Sequence, residues 1–269
     1  MSESILLSVE DGLARVTFNR PASLNAMDFA MGGLWRDIAH TVTGDPSVGA
    51  VILDAAGPAF CAGGDVVAMG TSGAAGSDVT AAAHVIHDGI RTFAFSDKPV
   101  VAAVQGAVAG GGLGLMLTAD YVVASDAAKF VSRYANIGLT PDLGVSTLLP
   151  AAIGQRRALQ LLLQDRALSA VEALEWGLIA EMLPAAEVAP RAEQIARFWL
   201  QNATHAFGQA KRLVRGGADR GFGENLDDEA ATIGAAFDTE ESRVRVAAFA
   251  AASRNSAASS AASAPKENS

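Results

Sequence analysis

The stretch KPVVAAVQGAVAGGGLGLMLTAD, Lys98 to Asp120, decides the fold. The 21 residues from Pro99 to Ala119 carry no charge, and Gly106, Gly110 and Gly114 stand at GxxxG spacing, so a membrane helix is one reading. Against it, Pro99 opens the run, Gln105 interrupts it, five glycines crowd into residues 106–114, and no second apolar span exists. Valines at 100, 101 and 104 ahead of the glycines predict a buried strand, a tight turn, and a buried helix through Leu113 to Thr118.

Working outward from there, Ile5 to Glu10 and Leu13 to Asn19 are apolar-rich runs split by Asp11-Gly12, which predicts a hairpin with a type I′ turn. A helix is expected over Met27 to Thr43 and a buried strand over Ala50 to Asp54. Residues 70–78 (GTSGAAGSD) are small and polar and read as a mobile surface loop, with Asp78 as the N-cap of a helix from Val79 to Phe95. Short strands are expected near Tyr121 to Ala124 and Lys129 to Ser132. From residue 144 the pattern turns helical: Ser169 and Glu172 form a capping box, and Val188, Ala192, Ile195, Ala196 and Trp199 make an apolar stripe. Leu226, Ala230, Ile233 and Phe237 make another, which predicts packing on a neighbouring chain. The Ala/Ser-rich end reads as a disordered tail.

The chain of 269 residues is 50% hydrophobic and only 18% charged, with a formal net charge of −9. That suffices for a large buried core and excludes disulfide scaffolds, disordered chains and collagen-like repeats. The acidic balance argues against nucleic-acid binding. A lone cysteine, Cys61, and the lack of a basic-then-apolar start fit a cytoplasmic protein.

Two segments can present bare backbone to a ligand. In Ala59-Phe60-Cys61-Ala62-Gly63-Gly64-Asp65, small residues either let an N–H approach a ligand or make a tight connection with Asp65 as N-cap. In Ala109-Gly110-Gly111-Gly112-Leu113-Gly114, consecutive glycines at a helix start either expose N–H groups or permit close packing. Together, two converging donors make an oxyanion hole for a carbonyl that becomes an enolate.

These segments carry a resemblance. NRPASLNAM (Asn19 to Met27), AFCAGGDV (Ala59 to Val66), the Lys98 to Asp120 stretch, and NIGLTPDLGVSTLLP (Asn136 to Pro150) resemble, in order and spacing, the blocks of the crotonase superfamily, the enoyl-CoA hydratases and isomerases. The resemblance implies an α/β fold, a spiral of ββα turns over residues 1–200, then a helical trimerisation region over 201–253 and the tail over 254–269. It implies an acyl-CoA thioester as ligand, no separate cofactor because coenzyme A is part of the substrate, and a homotrimer or hexamer. By block position, the thioester oxygen falls to the N–H groups of Gly64 and Gly111. Ala22, Leu24, Ala26, Ala62, Asp65 and Val66 should line the adenine and pantetheine path.

The acid-base residues separate the reactions. Hydration needs two carboxylates sharing a water, and the two positions that carry them in hydratases fall on Gly114 and Tyr134. Asp142, in GLTPDLG, falls where several isomerases of the superfamily carry an aspartate. One carboxylate beside an oxyanion hole can take a proton from C2 and return it at C4, so double-bond migration is expected, with a hydratase of altered machinery or a non-catalytic acyl-CoA binder as alternatives. Asp142 after Pro141 also suits a turn and helix N-cap. Tyr134 either hydrogen-bonds a ligand or lines the acyl pocket. Cys61 reads as a small buried filler. His84 and His87, three apart on a predicted helix, read as surface positions rather than a metal pair, and no metal is expected.

Overall fold

Asp11 and Gly12 both take positive φ, 50° and 79°, which matches the twist of the strands they join. Those strands, β1 (Ile5–Glu10) and β2 (Leu13–Phe18), pair antiparallel with Glu10 opposite Leu13. The structure, a computed structural model, describes residues 3–164 and 166–262. Asp28 caps α1 (Phe29–Gly44) by accepting the Met31 N–H at 2.8 Å. After it come β3 (Ala50–Ala55), α2 (Val66–Thr71), α3 (Gly76–Phe95), β4 (Val100–Val104), β5 (Ala107–Ala109) and α4 (Gly111–Leu117). Next are β6 (Tyr121–Ser125), β7 (Lys129–Val131), α5 (Val145–Ile153), α6 (Gln155–Leu162), β8 (Ala167–Ser169), α7 (Ala170–Trp176) and β9 (Glu181–Leu183). The chain closes with α8 (Ala185–Gln201), α9 (Thr204–Gly217), α10 (Phe222–Phe237) and α11 (Glu240–Ala262).

The uncharged stretch is thus β4, β5 and α4, and no helix among the described residues is long and apolar enough to cross a membrane. Every residue of β4 is buried, as a strand covered on both faces requires. It lies in a six-stranded sheet of order β1-β2-β3-β4-β6-β9, parallel from β2 onward. Successive side chains take opposite faces. Val51, Leu53, Val100 and Ala102 join the core that holds Trp35 and Phe93 of α1 and α3. Ile52, Val101 and Val123 pack with Val188, Ala192 and Ile195 of α8, which is the expected stripe.

β5, β7 and β8 form a second, three-stranded sheet. β5 is missing from the sequence reading because three residues inside a glycine-rich run leave no periodicity to detect. With it, the ββα repeat is plain: β4 and β6 enter the large sheet, β5 and β7 the small one, and a helix follows each pair.

Two further expectations are corrected. α3 starts at Gly76, inside the expected loop, because the Asp78 carboxylate sits in the third helical position and accepts the Ala75 N–H at 2.8 Å; Asp78 is not the N-cap. The tail expected to be disordered from residue 254 is helical as far as Ala262, consistent with the high helix propensity of its alanines; 263–269 lie outside the described residues.

The chain divides into two compact units, Met1–Arg215 and Gly216–Ser269, so the first extends past the expected boundary at 200. The reason is in α9. The Lys211 ammonium is buried and donates to the carbonyls of Phe93 and Lys98, both at 2.7 Å, and Arg215 pairs with Asp120 at 3.1 Å. In the second unit Leu226, Ile233 and Phe237 of the expected stripe are exposed.

Candidate active site

The loop that carries Gly64 is fixed by its neighbours. Ala62 N–H donates to Leu24 O at 3.0 Å, Met27 N–H to Gly63 O at 2.7 Å, and Asp65 N–H to Met27 O at 2.9 Å, so residues 24–27 brace it from outside. Asp65 caps α2 through Ala68 N–H at 3.0 Å and pairs with Arg20 at 3.0 Å. The cap bond first, then the guanidinium, holds its carboxyl below the usual carboxylate range, although burial opposes them.

The loop that carries Gly111 lies against it. Ala109 N–H donates to Cys61 O at 2.9 Å, and a Cβ on Gly112 would come within 2.3 Å of that same oxygen. Only glycine allows this approach. Neither the Gly64 nor the Gly111 N–H meets an acceptor among the described residues, and both glycines line one cavity of about 510 Å³.

Asp142 lines the same cavity, and its carboxylate lies 2.6 Å from His87 Nε2. With an ionised carboxylate as acceptor, Nε2 carries the hydrogen. The capping role is excluded: α5 begins at Val145 with Gly144, at φ 79°, as its N-cap, and only the backbone oxygen of Asp142 takes part, accepting Val145 N–H at 3.1 Å. Tyr134 lines the cavity and donates its hydroxyl to that carbonyl at 3.0 Å. Burial pushes its phenol above the ordinary value, so it is no base near neutrality.

Gly114 cannot be exchanged for a carboxylate in this backbone. A Cβ there would stand 1.8 Å from Leu143 O, so the Asp142-Leu143 segment occupies the space a hydratase acid would need. Cys61 is fully buried, with its thiol pushed up to about 11 by desolvation, as a filler should be.

Of the expected ligand-path residues, Ala62 and Val66 line the cavity, whereas Ala22, Leu24, Ala26 and Asp65 do not. Leu24 contributes its carbonyl to the brace and turns its side chain outward, and Asp65 is spent on the cap and Arg20. Of the two histidines, His84 is exposed, as the sequence suggests, whereas His87 is only half-buried. Both line the cavity, and His87 bonds a residue 55 positions away. Their three-residue spacing on an amphipathic helix was the available signal, but it named no partner. Among the described residues no cluster of three metal-ligating side chains exists.

An apolar cavity with two unpartnered backbone N–H groups, one carboxylate and an imidazole on that carboxylate is an arrangement that can bind a carbonyl oxygen beside a titratable side chain. The profile of the enoyl-CoA hydratase/isomerase family matches residues 8–255. The chain is 35% identical over 216 residues to a 4-chlorobenzoyl coenzyme A dehalogenase of Arthrobacter, covering 79% of this chain and 78% of that one. It is 34% identical over 231 residues to the 1,2-epoxyphenylacetyl-CoA isomerase of Escherichia coli, covering 85% and 88%. An enoyl-CoA hydratase structure from Bacillus anthracis superposes with a TM-score of 0.86 at 26% identity, covering 92% and 96%. The protein belongs to the enoyl-CoA hydratase/isomerase family, within the crotonase superfamily, and has its fold.

Proposed function

We propose that the protein moves a double bond in an enoyl-CoA thioester, with Asp142 as the proton carrier. The Gly64 and Gly111 N–H groups receive the thioester oxygen, and the Asp142 carboxylate takes a proton from the carbon next to it. The electron pair left behind becomes a dienolate whose oxygen the two N–H groups stabilise. Asp142 then returns the proton two carbons further on. His87, bonded to the carboxylate, fixes its orientation and spreads the charge as it changes. No cofactor takes part, since coenzyme A is a portion of the substrate. The observation that carries this reading is the Asp142 carboxylate in the cavity of both glycines, with the hydratase acid position closed by Leu143 O. The exposed faces of α10 and α11 suit assembly as a trimer or hexamer.

A second reading is favoured by the imidazole standing on the carboxylate and by the dehalogenase relatives. There the ligand is a halogenated aryl-CoA: Asp142 attacks the ring carbon, halide leaves, and water deprotonated by His87 hydrolyses the aryl ester to restore Asp142. A screen of 2-enoyl, 3-enoyl and halobenzoyl-CoA thioesters separates the two. Growth of conjugated-enoyl absorbance from the 3-enoyl substrate is the result expected, and halide release without it would favour the second reading.

A further inference from the structure

We propose that His84 recognises an oxygen-bearing substituent on the acyl group, remote from the thioester. The proposal rests on the acyl-CoA reading of this cavity. Helix α3 lines it with Val79, Thr80, Ala83, His84 and His87, of which Thr80, His84 and His87 stand four and three apart on one helical face. The polar groups on that face are engaged with one exception. Thr80 Oγ1 donates to Gly76 O at 3.0 Å, and His87 holds Asp142. His84 lines the cavity from an exposed position and makes no hydrogen bond or ion pair among the described residues, so its imidazole is hydrated until a ligand covers it; its ring meets the His87 ring edge-on, centroids 6.4 Å apart.

Three residues of helix place His84 about 4.5 Å along α3 from the residue that holds Asp142. An acyl group that runs from Asp142 along α3 therefore passes His84. An apolar acyl group there would strip water from the imidazole and return no hydrogen bond, while an oxygen at that point would accept or donate one. A site built this way rejects the analogue that lacks the oxygen more strongly than an apolar wall rejects a methylene.

The test is calorimetric titration of wild type, His84→Phe and His84→Gln with saturated thioesters, which needs no turnover. The probes are phenylacetyl-CoA, 4-hydroxyphenylacetyl-CoA and 4-carboxyphenylacetyl-CoA. Wild type should bind at least one oxygenated probe about tenfold tighter than phenylacetyl-CoA. A larger gain with the carboxylate than with the hydroxyl marks an anionic substituent. His84→Phe should bring the ratio to within about twofold, and His84→Gln, which keeps an N–H and a C=O, should retain part of it. An unchanged ratio in His84→Phe, or no preference in wild type, overturns the proposal while leaving the acyl-CoA reading standing. Failure of all three thioesters to bind wild type removes the acyl-CoA reading, and this proposal with it.

Discussion

Replacing Gly114 by alanine sets two effects of opposite sign against each other. Within a helix the change is worth up to about 1 kcal/mol of stability from propensity alone. Here, however, the new Cβ would lie 1.8 Å from Leu143 O and 2.8 Å from Leu143 C, backbone atoms that cannot rotate away as a side-chain tip can. Overpacking a close-packed interior costs about 1–3 kcal/mol, and a backbone clash belongs at the upper end, so the clash wins by about 2 kcal/mol. For a chain of this size that lowers Tm by roughly 4–8 °C. Leu143 follows Asp142 directly, so the displacement also moves the carboxylate, and a shift of about 1 Å costs on the order of 10² in rate. Thermal unfolding and turnover of Gly114→Ala measure both. Gly33→Ala in α1 is the control, because a Cβ there meets nothing within 4 Å and the propensity gain should appear alone. A Gly114→Ala protein as stable and as active as wild type would refute the argument that Leu143 O closes the position.

Gly111→Pro should lower turnover about 10²- to 10³-fold, because it deletes an oxyanion donor, yet fold, because proline suits the first helical position. Gly111→Ala keeps the N–H and comes closer than 3 Å only to the Leu143 side-chain tip, which can move, so steady-state kinetics should place it far above the proline variant. Cys61, with its thiol pushed up to about 11, is about one part in a thousand thiolate at pH 8, so iodoacetamide should label it in denaturant and not in the native protein, as mass spectrometry will show. His87→Ala should cost less than about 1 kcal/mol in denaturant unfolding, because both partners of its pair are partly exposed, while turnover falls sharply.

The sequence was most readable where chemistry is local. Asp11-Gly12 takes the positive φ angles that its composition favours, and Ser169 and Glu172 close their capping box. The Lys98 to Asp120 stretch gave β4 and α4 but hid β5, whose pairing partner β7 begins 20 residues on from where β5 ends. Gly64, Gly111 and Asp142, the residues that the block resemblance names, line one cavity. The bond of His87 to Asp142 is not legible in the sequence, because only the path of the chain from α3 to residue 142 brings the two together. Leu24 is a case where the backbone matters and the side chain does not: its carbonyl serves as a brace while its side chain faces away.

The central claim is that Asp142 moves a proton at the carbon beside the thioester. Its most direct measurement is the incorporation of solvent deuterium at C2 of a bound acyl-CoA, followed by mass spectrometry for wild type and Asp142→Asn, which keeps the size of the side chain and removes its basicity. The account predicts exchange in wild type, a loss of about 10²- to 10⁴-fold in the asparagine variant, and thioester binding retained in both. Exchange at the wild-type rate in Asp142→Asn, or none above the buffer rate in wild type, would contradict it.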